Sequence, residues 1–335
     1  MSPPTNPSSG NSYAGESHKD RGPVRLGVYL TQQFPLAPLS LVVDSLRVAN
    51  GIVGKQLFTH VMLSSGDDPV ISSCNFPAAT TIRIDQCPPL DVLLVCLGDA
   101  SFRFSERPVL QWLRRVYHSG AIVGGISSGS MLLAHAGLLD DRRCAVHWAS
   151  VEAMKEHFHR VVVTGNIFCV DGRLITCAGG VSTLDMMLHL IERLSSSQIA
   201  FDVADALIYP SIRGDNEPAR GSLIARTGVG NRQLNHAIEL METNIETPIS
   251  ITEISKRVDA SVRHLERLFA RFLEVSPTQY YMRIRLETAD SLLAKTDLPI
   301  VEVALRCGFR NASHFTRRYS VAYEELPSIR RRAGR

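Results

Sequence analysis

The stretch GISSG, residues 125–129, fits the G-x-S-x-G pattern, in which a serine sits on a sharp turn between a strand and a helix. Ser127 is the central serine, and His147, twenty residues later, is a candidate general base. A serine hydroxyl attacks a substrate near neutral pH only when such a base is itself oriented by a third group. Asp140 and Asp141 are the candidate orienting groups. The same turn can instead hold a ligand, because its N–H groups and the N-terminus of the following helix favour an anion such as a carboxylate.

Apolar runs alternate with amphipathic segments around this turn, and they predict the elements that position it. The predicted strands are 24–30, 58–64, 91–98, 121–127 and 173–179. The predicted helices are 37–50, 108–118, 129–137, 149–158 and 182–194. Continuous apolar strands separated by helices predict an α/β doubly wound parallel sheet covered on both faces. Ligands bind at the carboxyl ends of the strands in such folds, which is where Ser127 lies.

Composition limits the class of protein. Apolar residues make up 44% of the chain and charged residues 21%, as in ordinary globular proteins, and the apolar runs are too short to predict a membrane span. The first segment, residues 1–22, is rich in Ser, Pro, Gly and Asn and predicts a disordered tail. The seven cysteines include no C-x-x-C pair, so the sequence predicts neither a disulfide framework nor a zinc site, and no cofactor is expected.

Three segments resemble a known fold family: GGISSGS, DDRRCAVHW and FCVDGRLITCAGGVSTLDMMLHLI occur in the order found in the PfpI-type branch of the class I glutamine amidotransferase-like fold. The resemblance implies a flavodoxin-like sheet over residues 23–205, with a cysteine at the elbow and a glutamate after the first strand. This chain has Ser127 in place of the cysteine, and residues 31–43 contain no acidic side chain. We therefore expect a non-catalytic ligand pocket, in which an aromatic face can hold a cation. The residues expected to line it are Ser127, Ser128, Gly129, Ser130, His147 and Trp148.

The positive charge of the chain is concentrated near its C-terminus. Residues 206–231 contain several glycines and prolines and predict a linker. From Asn231 onward there are 17 Lys and Arg against 13 Asp and Glu, within a total net charge of +3. All but two of these cations are arginines, which suit planar contacts to phosphates and guanine edges. A solvated helical surface is the alternative explanation of the charge.

Two segments of this C-terminal part repeat at an offset of 49 to 50 residues. We call residues 249–277 the first copy and residues 298–327 the second copy. Each copy predicts a short helix, a turn and a longer helix, and a repeat of matched apolar positions indicates two copies of one unit. This is helix-turn-helix architecture, in which the longer helix enters the major groove of DNA. The helix between the copies, residues 280–295, lets them address successive major grooves, about 34 Å apart.

Polar side chains on the outer face of the longer helices are the candidate DNA contacts. They are Arg263, Glu266, Arg267 and Arg271 in the first copy, and Asn311, Ser313, His314, Arg317 and Arg318 in the second. Asn311 and Ser313 are candidate helix caps first and phosphate contacts second.

The segments RHLERLFARF, VSPTQYYMRIRLETADSLLAKTDLPIVEVALRCGF and SHFTRRY resemble the AraC/XylS family of transcription regulators over residues 233–332. The resemblance implies an all-α DNA-binding domain over residues 232–335. Its base readers would be Arg263, Glu266 and Arg267 in one copy and Ser313, His314 and Arg317 in the other. The family commonly places glycine where Glu274 and Glu324 stand, and a non-glycine residue in a left-handed turn costs about 1 kcal/mol. We therefore expect the exit turns of the two copies to differ from the family pattern.

The combination of a PfpI-like domain with an AraC-type domain resembles GlxA-like bacterial regulators. Their first domain senses a small nitrogenous metabolite such as an amino acid, a betaine or carnitine. The resemblance implies a cytoplasmic, nucleoid-associated homodimer that binds double-stranded promoter DNA and a small-molecule effector, activates transcription with RNA polymerase, and is not an enzyme. Two alternatives stay open. One is a Ser127–His147 hydrolase or amidase tethered to DNA, and the other is a constitutive DNA-bridging protein whose first domain serves only to dimerise.

Overall fold

The computed structural model describes residues 22–78, 82–98, 106–219 and 231–333. Residues 22–219, the sheet domain, contain the strands, and residues 231–333, the helical domain, are built from helices. The predicted disordered tail lies outside the described residues apart from Gly22. Residues 220–230 of the predicted linker also lie outside them.

Parallel strands form the centre of the sheet domain. The strands are β1 (Val24–Leu30), β2 (Phe58–Ser64), β3 (Ile82–Arg83), β4 (Val92–Leu97), β5 (Ile122–Ser127), β6 (Arg143–Ala145), β7 (Val162–Thr164), β8 (Phe168–Asp171) and β9 (Leu174–Cys177). Seven of them form one sheet in the order β3-β2-β1-β4-β5-β9-β8, with only the β8–β9 pair antiparallel. Strands β6 and β7 form a small parallel sheet of their own.

The five predicted strands are confirmed to within two residues at each end. Strands β3, β6, β7 and β8, which are two to four residues long, lie outside these five predicted ranges. Runs this short give too few positions for a periodic pattern to emerge. The parallel core is therefore predictable from the sequence, while its short additions are not.

Helices cover both faces of the sheet. They are α1 (Leu36–Val53), α2 (Arg107–His118), α3 (Gly129–His135), α4 (Val151–His157), α5 (Ser182–Leu194) and α6 (Ser197–Ala206). Helices α1, α5 and α6 bury their apolar side chains in one cluster with one face of the sheet, and α2, α3 and α4 do so in a second cluster. The predicted doubly wound, flavodoxin-like fold is confirmed.

Helix α1 is long and apolar enough, by length and composition, to cross a membrane. It nevertheless packs against α5 and α6 and buries Leu39, Val42 and Leu46 in the core. One face of the helix is thus buried in the core of the sheet domain.

The segment after α6 is attached to the sheet domain. The buried carboxylate of Asp185, on α5, accepts hydrogen bonds from the hydroxyl of Tyr209 at 3.0 Å and from the guanidinium of Arg213 at 2.7 Å. The main-chain N–H of Ala219 donates to the carbonyl of Gly165 at 2.7 Å. The part of the predicted linker that the structure describes, up to residue 219, therefore lies along the sheet domain.

The helical domain contains two small cores on one connecting helix. Its helices are α7 (Arg232–Thr243), α8 (Ile251–Arg257), α9 (Val262–Leu273), α10 (Pro277–Lys295), α11 (Ile300–Arg306), α12 (Ala312–Tyr323) and α13 (Pro327–Ala333). One core joins α7, α8 and α9 to the first half of α10, and the other joins the second half of α10 to α11 and α12. The predicted repeat is thus a pair of helix-turn-helix units.

The turns of the two units are alike. Asp259 and Gly308 occupy the same place between the helices, with φ of 51° and 73°. Glu274 and Glu324 end α9 and α12 in left-handed conformations, with φ of 57° and 54°. The expectation that these exit turns differ from the family pattern was wrong, because each glutamate adopts the left-handed conformation that glycine favours.

Candidate functional site

The elbow predicted from GISSG is present at the carboxyl end of β5. Ser127 has a φ of 56°, so it sits in the left-handed turn that turns a strand into a helix. A Cβ added to Gly129 would collide with the main-chain oxygen of Val95, and one added to Gly179 would lie 2.7 Å from the Cβ of Ser127. The turn is therefore pressed between the neighbouring strands β4 and β9 and tolerates only glycine at these points.

The predicted pocket residues differ in how accessible they are. Ser128, Gly129 and Ser130 are buried, and the hydroxyl of Ser130 donates to the carbonyl of Ala145 at 3.1 Å. Ser127 and His147 are half-buried, and Trp148 is 45% exposed. Of this set, the side chains of Ser127, His147 and Trp148 are the ones that a ligand from solvent can reach. That all six line a ligand pocket stays a prediction.

The aspartates considered as catalytic orienters pair elsewhere. Asp140 and Asp141 both form ion pairs with Arg160, the first at 2.9 Å. The Nδ1 atom of His147 accepts a hydrogen bond from the main-chain N–H of Ala149 at 3.3 Å. His147 therefore caps the short 3-10 turn Trp148–Ser150 through the ring nitrogen that an orienting carboxylate would need.

The cysteines near the elbow are buried in the core. Cys177, at the end of β9, and Cys96, at the end of β4, are fully buried, and burial raises the pKa of both thiols. Burial also raises the pKa of Cys144 to about 12. Because the thiolate is the nucleophile, these three thiols are inert at neutral pH.

The segment that follows His147 contacts the helical domain. The carbonyl of Ala149 accepts hydrogen bonds from the hydroxyl of Ser291 and, at 3.3 Å, from the ammonium of Lys295, both on α10. The same ammonium donates to the hydroxyl of Ser150 at 2.8 Å. The sheet domain thus holds the second half of the connecting helix through the short turn that His147 caps.

Further contacts join the same two surfaces. Glu156 on α4 forms an ion pair with Arg306 on α11, in the second copy. A cavity of about 490 Å³ lies beside these contacts, between Trp148 and Glu152 on one side and the connecting helix on the other. The sheet domain is therefore attached to the second helix-turn-helix unit as well as to the connecting helix.

An acidic residue of the connecting helix anchors the second unit. Asp290 accepts hydrogen bonds from the hydroxyl of Tyr319, on α12, and from the guanidinium of Arg330, on α13, at 2.5 Å and 2.8 Å. Burial and the neighbouring Asp290 carboxylate raise the pKa of Tyr319, so this phenol stays protonated and keeps donating. The position of α12 relative to α10 is fixed by this cluster.

The nine candidate DNA contacts all lie at exposed positions, four on α9 and five at Asn311 or within the first seven residues of α12. They are Arg263, Glu266, Arg267, Arg271, Asn311, Ser313, His314, Arg317 and Arg318. Asn311 caps α12 by accepting from the N–H of His314 at 2.8 Å, and Ser261 caps α9 in the same way at 3.1 Å. That the nine side chains contact DNA stays a prediction.

The described residues contain no group of three or more His, Cys, Asp or Glu side chains able to hold a metal ion.

Comparison with known proteins identifies a matching family model for each of the two domains. The DJ-1/PfpI family model matches residues 53–193, and a helix-turn-helix domain model matches residues 254–333. The chain is 35% identical over 305 residues to the HTH-type transcriptional regulator GbdR of Pseudomonas aeruginosa, covering 91% of this chain and 83% of that protein. It is 33% identical over 320 residues to the HTH-type transcriptional regulator GlxA of Rhizobium meliloti, covering 95% and 99%. The chain belongs to the AraC-type family of transcriptional regulators.

A solved structure supports the assignment of the sheet domain. An AraC family transcriptional regulator from Pseudomonas putida superposes with a TM-score of 0.50 at 28% identity, covering 55% of this chain and all of that one. A putative transcriptional regulator from Vibrio parahaemolyticus, at 18% identity and a TM-score of 0.51, shares the fold. This AraC-type regulator is a DNA-binding protein and not an enzyme, despite its PfpI-like domain.

Sequence patterns did not reveal the residues that join the two domains of this AraC-type regulator. Ser291, Lys295 and Arg306 lie on ordinary amphipathic helices, and their partners are about 140 to 150 residues away in the sequence. The one available signal was that Ala149 and Ser150 lie two and three residues after His147, a residue already singled out.

Proposed function

We propose that this regulator activates transcription when a small nitrogenous metabolite, such as an amino acid, a betaine or a carnitine-like compound, binds at the elbow of the sheet domain. The ligand's carboxylate binds the main-chain N–H groups at the start of α3, and its cationic group faces the ring of Trp148. Both groups occur in this class of compound. Ser127 serves as a ligand contact, in keeping with the pairing of Asp140 and Asp141 with Arg160.

The observation that carries the proposal is the hydrogen bonding of the Ala149 carbonyl. This carbonyl lies two residues after His147 and accepts from Ser291 and Lys295 on the connecting helix. A ligand that moves His147 moves the turn it caps, and with it the contact to α10. A ligand shifts the arrangement of the two domains only by its different affinity for the two arrangements.

On DNA, we propose that α9 and α12 enter successive major grooves. Arg263, Glu266 and Arg267 read bases in one groove, and Ser313, His314 and Arg317 read bases in the next. Arginine suits this role because its guanidinium can donate two parallel hydrogen bonds to guanine. Arg271, Asn311 and Arg318 contact phosphates and set the register.

We further propose that the regulator works in the bacterial cytoplasm, on the nucleoid, as a homodimer that recruits RNA polymerase to promoters. Phe201 and Ile208, on α6 and just after it, are 60% and 90% exposed, and exposed apolar side chains of this kind suit an interface between two copies. Replacing Phe201 with Asp should shift the protein from dimer to monomer in sedimentation experiments. A dimer that persists would place the interface elsewhere.

The test of the effector proposal is a panel of amino acids, betaines and carnitine added to the full-length protein. Thermal unfolding reports binding, and DNA affinity on a selected operator reports the response. A ligand at 100 times its Kd should stabilise the protein by about 2.7 kcal/mol. We expect at least one compound to raise the unfolding temperature and also to change DNA affinity.

Ser127→Ala should weaken that compound's binding several-fold, because it removes a ligand contact at the carboxyl end of β5. Ser119→Ala is the matched control, since Ser119 precedes the opposite end of the same strand and its hydroxyl bonds the carbonyl of Val116. A panel in which no compound binds, or in which binding leaves DNA affinity unchanged, would contradict the effector proposal.

A further inference from the structure

A chain of hydrogen bonds runs across the first helix-turn-helix unit. The side-chain nitrogen of Gln233, on α7, donates to the main-chain carbonyl of Asp259 at 2.7 Å. The side-chain oxygen of Gln233 lies 3.1 Å from Nε2 of His264, on α9. The other ring nitrogen of His264, Nδ1, lies 3.0 Å from a terminal nitrogen of Arg267. The chain therefore joins α7 and the turn before α9 to a candidate base reader.

The donors and acceptors of this chain have one consistent assignment. A guanidinium has only donors, so Nδ1 of His264 accepts from Arg267. The neutral imidazole then carries its proton on Nε2 and donates it to the oxygen of Gln233. The amide nitrogen of Gln233 is left facing the carbonyl of Asp259, which accepts. Each donor therefore faces an acceptor, so the three side chains hold one another in place.

Among its described residues, the second unit has a different arrangement: Nε2 of His314 accepts a hydrogen bond of 3.5 Å from Arg318, and Arg285 takes the place of Gln233 beside the turn. Arg285, on α10, donates to the carbonyl of Cys307 at 2.8 Å, as Gln233 does to the corresponding carbonyl of Val258 at 3.3 Å. Its guanidinium lies 4.3 Å from the centre of the Phe309 ring. Because a guanidinium cannot accept a hydrogen bond, Arg285 cannot bind a ring N–H of His314 as Gln233 binds that of His264.

We propose that His264 is a positioning residue for DNA recognition: supported by Gln233, it holds the guanidinium of Arg267 in one orientation toward the major groove. One N–H of Arg267 is used by His264, and the remaining four suffice for both acceptors on the guanine edge. A side chain that is already ordered loses less freedom on binding, so its base pair is discriminated more sharply. This inference rests on the proposed role of Arg267 as a base reader.

The test measures base-pair discrimination by the full-length protein, with competing operators that each carry one altered base pair. Arg267→Ala identifies the base pair that Arg267 reads. His264→Gln keeps a donor near Gln233 but removes the acceptor for Arg267, whereas His264→Asn keeps an acceptor near the place of Nδ1. We expect His264→Gln to lower discrimination at that base pair about tenfold, and His264→Asn to retain most of it.

Gln233→Leu provides a second way to release His264 and should lower discrimination at the same base pair by a smaller factor. His236→Gln, at an exposed position of α7, is the matched control and should leave discrimination at that base pair unaffected. In an Arg267→Ala background, His264→Gln should cause no further loss.

The proposal is overturned if His264→Gln costs as much in the Arg267→Ala background as alone, which would indicate a role in the fold. It is also overturned if the loss falls on a different base pair, which would make His264 a direct reader. If Arg267→Ala alters discrimination at no base pair, Arg267 is not a base reader, and the inference about His264 fails with that assignment. This outcome differs from one in which only the role of His264 fails.

Discussion

The two helix-turn-helix units share one fold but differ in the polar contacts that hold them in place. Arg257 and Arg306 occupy equivalent positions, and each pairs with a glutamate four residues earlier, at 2.9 Å and 3.1 Å. Arg306 also pairs with Glu156 of the sheet domain. In the first unit, a side chain of α7 instead reaches the reading helix through His264. The apolar cores of the copies are alike, while their polar contacts have diverged.

A repeated unit can therefore keep its fold while its two copies perform different tasks. The second unit, with the connecting helix, receives the contacts from the sheet domain. The first unit carries the hydrogen-bond chain that orders Arg267. Substitutions confined to one unit should separate these two tasks.

The largest expected effect is on the second unit alone. Asp290→Ala removes the acceptor of Tyr319 and Arg330, and hydrogen bonds to charged groups contribute substantially, so we expect a local loss of about 2–3 kcal/mol. Amide hydrogen exchange should accelerate in α12 and α13 while α8 and α9 keep their protection. Equal acceleration in both units would show that they do not unfold separately.

The next effect concerns DNA binding. Arg267→Ala and Arg317→Ala should each weaken operator binding by about 1–3 kcal/mol, through different base pairs. Competition binding with single-base-pair variants measures this. If the two substitutions affect the same base pairs, the units do not read separate grooves.

A smaller effect is expected at the contact between the domains. The ion pair of Glu156 and Arg306 is partly exposed, with 19% and 40% of the side chains accessible, so it should contribute about 1 kcal/mol at most. Glu156→Arg and Arg306→Glu should each weaken the coupling between effector and DNA binding, and the double variant should restore it.

Arg257→Glu is the matched control for this cycle, because it breaks the corresponding pair with Glu253 in the first unit. It should leave the effector response intact. An equal loss of response with Arg257→Glu would mean that helix stability, and not the contact between domains, governs the coupling.

The smallest effect should be the same in both units. Glu274→Gly and Glu324→Gly remove the backbone strain of a glutamate in the left-handed conformation. We expect each to raise the free energy of unfolding by about 0.5–1 kcal/mol. Thermal unfolding of the single variants measures this. A gain in one unit only would show that the turns are less alike than their φ values indicate.

Local patterns predicted the fold well. The apolar run of β1 predicted its bounds at Val24 and Leu30. The matched apolar positions of the two copies predicted two similar helical units, and their cores bury Phe269 in one and Tyr319 in the other. No sequence pattern predicted the contacts between residues that are far apart in the chain. The hydrogen bond from Ser291 to Ala149 depends on how two domains meet, and no spacing within either segment encodes it.

The candidate sites were predicted in part. The elbow at Ser127 follows from small residues at a strand end, which a sequence displays directly. The role of His264 did not follow, because its partner Gln233 lies 31 residues away on another helix. The left-handed glutamates were wrongly expected to change the exit turns, since the framework fixes the conformation of these positions and tolerates the strain.

A hydroxyl-radical footprint of the full-length protein, on an operator selected from random DNA, tests whether α9 and α12 read neighbouring major grooves. We expect two protected patches centred about one helical turn, or roughly 34 Å, apart. Arg267→Ala should weaken one patch and Arg317→Ala the other. A single patch, or two patches that each variant weakens equally, would contradict the claim that one chain reads neighbouring grooves with two separate helices.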